Sequence, residues 1–123
     1  MTDSELPPRW KKKFAVAWAG IRGAWQSQVS LRVHGLCAGL VLALAAVSSL
    51  TPLEWAVLLL VIGLVISLEI LNTAVEAVVD LCSPEQSELA RIAKDAAAGA
   101  VLVAAITAVA VGAFIFVPAL WNL

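Results

Sequence analysis

The sequence contains little charge for its size. Only 14% of its 123 residues are charged and 62% are hydrophobic, whereas soluble domains have about 25% and about 45–50% respectively. A water-soluble fold of this length could not bury so much apolar surface. The composition therefore excludes an ordinary soluble protein and predicts an integral membrane protein, for which no nucleic-acid partner is expected.

Residues and motifs that usually build metal, disulfide or nucleotide sites are also scarce. Cys37 and Cys82 lie in different predicted helices without CxxC spacing, and the single histidine, His34, has no nearby ligand partner in the sequence. We therefore expect neither a disulfide nor a zinc site. Because no P-loop or GxGxxG motif is present, a nucleotide site would have to be built differently. The polar N-terminus with Pro7 and Pro8 lacks the apolar core of a cleaved signal peptide.

An aromatic stripe marks the beginning of the chain. Large apolar residues recur there at intervals of four and three: Trp10, Phe14, Trp18, Ile21 and Trp25. The neighbouring cations fall off this stripe. The pattern predicts an amphipathic helix over about residues 9–28 that lies in the membrane interface, with its rings at headgroup level. Packing of the same face on protein is the alternative, and both can hold for one helix.

Three longer apolar segments predict transmembrane helices over about residues 32–50, 53–80 and 92–120. The 19 residues from Gly35 to Leu53 carry no charge, and this length spans a hydrocarbon core of about 30 Å. Thr51-Pro52 breaks the first span, and Ser83-Pro84 ends the second. We expect one all-α membrane domain, in which an N-terminal amphipathic surface helix precedes three transmembrane helices.

The cations predict how the chain is oriented. Six of the eight Lys and Arg residues lie in the first 32 positions, and the other two, Arg91 and Lys94, follow the second span. The positive-inside rule therefore places the N-terminus and the second loop in the cytoplasm. The first hairpin and the C-terminus are expected to face outward.

Polar residues share one face of the second span. Their spacings of three, four and four place them within one helical stripe: Glu69, Asn72, Glu76 and Asp80. Burying one charge in hydrocarbon costs about 2.5–3.5 kcal/mol on insertion scales, so such residues usually mark a functional site. The third span opens at the same membrane boundary with further charged residues: Arg91, Lys94 and Asp95.

Acids beside cations at the cytoplasmic membrane face suit phosphoryl transfer from a nucleotide. The acids would hold Mg²⁺ and orient an attacking hydroxyl, and a cation would bind phosphate oxygens. Two alternatives remain open at this point. The groups could join helices through ordinary ion pairs, in which Lys94 or Arg91 neutralises Asp80 or Asp95. Membrane carboxylates also form proton or cation pathways, as in a small transporter.

Two stretches, EILNTAVEAVVD from Glu69 to Asp80 and AKDAAAGAVL from Ala93 to Leu102, closely resemble the signature of the small bacterial diacylglycerol kinase and undecaprenol kinase family. The likeness extends to chain length and helix order. It implies a homotrimer in the bacterial cytoplasmic membrane, with active sites shared between subunits, that phosphorylates a lipid hydroxyl with ATP and Mg²⁺. Diacylglycerol is favoured over undecaprenol because the Glu69–Lys94 stretch is most similar to that branch.

The resemblance also implies roles for single residues. Glu69 corresponds to the general base for the lipid hydroxyl, and Glu76 to a magnesium ligand. The remaining residues would build the nucleotide and phosphate site: Asn72, Lys94 and Asp95, with Asp80 as the nucleotide-side acid.

Two positions depart from the family pattern. Gln28 stands where many members carry a glutamate that helps hold metal; its carbonyl oxygen could still bind Mg²⁺, but without charge. This departure makes a non-catalytic relative conceivable. His34 replaces the acid of the diacylglycerol kinase branch and resembles the undecaprenol kinase branch. We expect it to be a polar residue at the membrane boundary.

Overall fold

The structure, a computed structural model, describes residues 8–122, which form four helices. They are α1 (Arg9–Ser27), α2 (Val29–Ala46), α3 (Pro52–Cys82) and α4 (Glu88–Trp121). The last three are each long and apolar enough to cross a membrane. The predicted class, an all-α membrane protein with a preceding surface helix, is confirmed. The expectation that the first seven residues belong to no cleaved signal lies outside the described residues.

The first predicted span is displaced along the chain. Only Gln28, with φ −115° and ψ 113°, separates α1 from α2, so α2 begins three residues earlier than predicted. It also ends at Ala46 rather than near residue 50. Ser48 Oγ donates to Leu44 O at 2.6 Å, and Ser49 has a φ of 52°. This left-handed conformation is incompatible with a continuing helix.

The other boundaries follow local capping. Thr51 caps α3, accepting from Glu54 N–H at 3.2 Å and donating its own N–H to Glu54 Oε1 at 3.0 Å, with Pro52 in the first turn. This is a capping box. Ser87 caps α4 by accepting from Ala90 N–H at 3.1 Å. The connection is therefore only residues 83–87, shorter than expected from the predicted spans at 53–80 and 92–120.

The apolar core lies at one end of the three long helices. It joins the end of α2, the start of α3 and the last turns of α4: Ala45, Leu58, Ile115 and Phe116. Along its length α3 packs extensively on α4, whereas its contact with α2 is smaller. The core therefore anchors the helices at the end far from the polar half of α3.

The helix α3 is longer than the hydrocarbon core of a membrane is thick. Its 31 residues span about 46 Å at about 1.5 Å per residue, against a hydrocarbon core of about 30 Å. After the capping residue Glu54, residues 55–68 carry no charge, and the next acid is Glu69. The helix therefore runs from an uncharged section to a polar end.

The aromatic stripe of α1 is exposed. Trp10 and Phe14 are 60% and 73% exposed and meet edge to face, with centroids 6.4 Å apart. Lys11 Nζ lies 5.5 Å from the Trp10 ring centroid. Only Ala24 of this helix is buried. The exposure favours the interfacial prediction over packing on the chain's own helices.

A close approach between α1 and α2 gives a test of this packing. A Cβ at Gly35 would lie 2.5 Å from a ring carbon of Trp25, whereas a Cβ at Gly39 would have nothing within 4 Å. Replacing glycine inside a helix by alanine stabilises by about 0.5–1 kcal/mol where space allows. We expect that gain from Gly39→Ala but not from Gly35→Ala, measured as unfolding midpoints in the same detergent. Equal gains would show that Trp25 does not pack on Gly35.

Candidate active site

The carboxylate of Glu69 lies buried between α2 and α3. The residue is only 2% exposed. Its Oε1 accepts hydrogen bonds from Ser30 Oγ at 2.5 Å and from His34 Nδ1 at 2.6 Å. A buried carboxylate is costly unless such donors satisfy it. Two side chains of α2 therefore fix the predicted base residue in place.

Both donors were missed by the sequence analysis. His34 was expected only to be a polar residue at the membrane boundary, and in the structure its ring contacts Glu69. The partners lie 35 positions apart in the sequence, so only the packing of α2 on α3 brings them together. One signal was available. Ser30 and His34 are four residues apart, which places them on one face of a helix that is otherwise apolar except for Arg32.

An apolar groove extends from His34, the residue whose ring contacts this carboxylate. It has a volume of about 380 Å³ and lies between α2, α3 and α4. Its lining includes His34, Val41, Leu58, Ala105 and Phe116. Among residues 8–122 no hydrogen bond is made to the second carboxylate oxygen of Glu69. A molecule with a polar head and an apolar chain would fit this arrangement, with the head at Glu69.

The next turns of α3 hold a pair of oxygen donors. Asn72 Nδ2 donates to Glu76 Oε1 at 3.4 Å. Asn72 Oδ1 is buried and has no hydrogen-bond partner among the described residues. An amide carbonyl beside a carboxylate presents the hard oxygen ligands that Mg²⁺ prefers. The orphaned Oδ1 therefore fits a cation better than it fits a closed helix interface.

This pair is not a complete metal site within one chain. Among residues 8–122, no three His, Cys, Asp or Glu side chains are grouped closely enough to hold a metal. Gln28 is half-buried at the α1–α2 break, and in the described part of the chain its side chain makes no hydrogen bond with Glu76. Mg²⁺ is commonly held by one or two carboxylates together with substrate phosphates. The residues present fit that mode of binding.

A polar cleft lies where α3 and α4 meet the short connection. It has a volume of about 720 Å³ and is lined by the connection, Asp80 and the first turns of α4. Lys94 Nζ lies 2.5 Å from Asp80 Oδ1. Arg91 pairs with Asp95 at 2.9 Å and also with Glu88. These are the ion pairs that the polar-contact alternative anticipates, and they also place two cations beside an open cleft.

The geometry divides the predicted residues into neighbouring groups along α3. Glu69 is buried against α2, Asn72 and Glu76 are half-buried and paired, and Asp80 is exposed and meets Lys94. Asp95, one turn after Arg91 on the same face of α4, accepts a hydrogen bond from the Arg91 guanidinium. The result is a series of polar side chains that runs from the buried Glu69 to the open cleft at Asp80.

Comparison with known proteins decides the family. Residues 15–116 match the family model described as prokaryotic diacylglycerol kinase. The chain belongs to this family. The region that matches the diacylglycerol kinase family contains every predicted site residue, from Gln28 to Asp95.

Named relatives of this family member fall in two substrate groups. The diacylglycerol kinase of Synechocystis sp. is 44% identical over 97% of this chain and 69% of its own length. The undecaprenol kinase of Bacillus subtilis is 40% identical over 91% of both chains. The diacylglycerol kinase of Escherichia coli K12 is 37% identical over 80% of both chains.

The ion pair at the cleft of this diacylglycerol kinase family member should add little stability. The side chains of Lys94 and Asp80 are 41% and 66% exposed, and exposed pairs contribute about 0–1 kcal/mol. We expect Asp80→Asn and Lys94→Met each to lower the free energy of unfolding by less than about 1 kcal/mol. Denaturation in detergent measures this, with Glu88→Gln as the control. A larger loss would support a mainly structural role for the pair.

Proposed function

We propose that this protein transfers the γ-phosphoryl group of ATP to the hydroxyl of a membrane lipid, with diacylglycerol as the first candidate. As a member of the prokaryotic diacylglycerol kinase family it is a lipid kinase. The observation that carries the proposal is the position of Glu69. Its buried carboxylate contacts His34, which lines the apolar groove, and lies on the same face of α3 as Asp80, which lines the polar cleft.

Glu69 has the geometry of a general base. Oε1 is held by Ser30 and His34, and Oε2 remains to accept the proton of a lipid hydroxyl. A base must reach that proton directly or through one water. With its hydrocarbon chain in the groove, an amphipathic alcohol would present its hydroxyl at this carboxylate. As Glu69 takes the proton, the hydroxyl oxygen attacks the γ-phosphorus, the bond from the γ-phosphorus to the bridging oxygen breaks, and ADP leaves.

The nucleotide would bind on the cytoplasmic side of Glu69. Asn72 Oδ1 and the Glu76 carboxylate would be ligands of Mg²⁺, which would neutralise charge on the phosphate oxygens. Gln28 is an uncharged third candidate. Lys94 can exchange its exposed partner Asp80 for a phosphate oxygen, because ion pairs in water are weak. Asp80 and Asp95 would then orient the remainder of the nucleotide.

We place the protein in the bacterial cytoplasmic membrane as a homotrimer, with active sites shared between subunits. The cations of α1 and of the α3–α4 connection support a cytoplasmic location for both. Large apolar side chains along α2, α3 and α4 are exposed on the single chain, so lipid or further copies must cover them. The number three is taken from the family resemblance.

Undecaprenol is the second candidate acceptor. Identity to the Bacillus subtilis undecaprenol kinase is 40% over 91% of both chains. His34 also resembles that branch. Both acceptors are alcohols on long apolar chains, so the groove alone does not discriminate between them.

A direct assay tests the function. The purified protein in detergent or bilayers is given radiolabelled ATP, Mg²⁺ and each lipid separately, and we expect faster labelling of diacylglycerol. Glu69→Gln should lower kcat by about 10²–10⁴-fold, the usual contribution of a general base, while the oligomer stays intact on size exclusion. Glu54→Gln on the same helix is the control, because a capping box accepts glutamine.

Two results would contradict this function. Inactivity toward both lipids would remove the basis for a lipid kinase. ATP-independent, pH-dependent ion flux across liposomes, lost in Glu69→Gln, would support the ion-pathway alternative instead.

The amide at position 28 predicts a measurable dependence on magnesium. Gln28→Glu adds a charged oxygen ligand, so half-maximal activity should require less Mg²⁺. Gln26→Glu places the same charge nearby on the exposed side of α1 and is the matched control. An unchanged magnesium titration for Gln28→Glu would show that this side chain does not reach the metal.

A further inference from the structure

Two residues of α2 that were not predicted to belong to the site, Ser30 and His34, contact Glu69. Ser30 and His34 both donate to the same oxygen, Oε1, at 2.5 and 2.6 Å. The Glu69 side chain is almost fully buried, whereas the His34 ring is partly exposed and lines the apolar groove. The histidine therefore borders both the carboxylate and the space proposed for the lipid chain.

We propose that Ser30 and His34 are positioning residues that lock the Glu69 carboxylate in one orientation for catalysis. With two donors on Oε1, rotation about the carboxyl bond would break both hydrogen bonds in a buried setting, which is costly. Oε2 is then held toward the acceptor hydroxyl. This inference rests on the proposed function, because it assigns these residues a role only through Glu69 as the base.

The proposed role requires that the side chain at position 34 be long enough to donate a hydrogen bond to Glu69 Oε1. The imidazole donates through Nδ1, and its ring at the same time lines the groove. An alanine would leave the carboxylate with Ser30 as its only donor and open space beside it. Glutamine keeps an N–H donor of similar reach, although it lacks the flat ring. Position 34 should therefore tolerate glutamine much better than alanine.

Misplacing a base by about 1 Å can cost about 10²-fold in rate. We expect His34→Ala to lower kcat for lipid phosphorylation by about 10–100-fold, with KM for ATP changed less than about threefold. His34→Gln should recover most of that loss. Val33→Ala is the matched control, since Val33 precedes His34 on α2, is 52% exposed and is not among the residues that line the groove. Its kcat should stay close to that of the unmodified protein.

A double-mutant cycle separates positioning from general damage to the fold. Glu69→Asp keeps an acid but withdraws it by one methylene from the donors of α2. If His34 acts through the carboxylate, His34→Ala should cost much less in the Glu69→Asp protein than in the unmodified one. Ser30→Ala repeats the test with a smaller change, and it carries the test alone if His34→Ala fails to yield a folded oligomer.

Three results would overturn the inference. The first is a kcat for both His34→Ala and Ser30→Ala within about threefold of the unmodified value, well below the expected loss. The second is a kcat for His34→Gln that is as low as that of His34→Ala. The third is an equal fold-loss of kcat on His34→Ala in the unmodified and the Glu69→Asp proteins. If the unmodified protein phosphorylates no lipid, the proposed function fails and this inference fails with it. An active unmodified protein with unaffected variants removes only the positioning role.

Discussion

The site depends on one constraint: a carboxylate at the depth of the apolar layer must have its hydrogen bonds satisfied. Glu69 meets this requirement through Ser30 and His34 rather than through a residue of its own helix. Without α2 in place, the carboxylate would be left without donors at high cost. The buried carboxylate of Glu69 is therefore stable only when α2 packs on α3.

The polar side chains of α3 become more exposed from Glu69 toward the end of the helix. Asn72 and Glu76 follow as a half-buried pair with one orphaned carbonyl, and Asp80 ends the series in an exposed cleft beside Lys94. Glu69 and Asp80 are separated by about 16 Å along the helix. A lipid confined to the bilayer and a nucleotide confined to water can both reach one helix over that distance. The apolar core at the opposite end keeps α2, α3 and α4 together while leaving this section open.

Local chemistry explains what could be predicted from the sequence. Thr51-Pro52 and Ser83-Pro84 mark helix boundaries through capping and the missing proline N–H, so the breaks were placed within a few residues. The polar face of α3 follows from helical periodicity alone. The partner of His34 and the early end of α2 depend on contacts made only after packing, at Glu69 and at Ser48 and Ser49. Periodicity within one helix cannot report either.

The most direct test of this account is the structure of the protein in a bilayer with a non-hydrolysable ATP analogue, Mg²⁺ and the lipid alcohol. The account predicts the acceptor hydroxyl within about 2.6–3.2 Å of Glu69 Oε2, or joined to it by one water. It also predicts that Oε1 is still held by Ser30 and His34. A hydroxyl bound beyond the reach of this carboxylate, while the phosphates occupy the cleft, would contradict it.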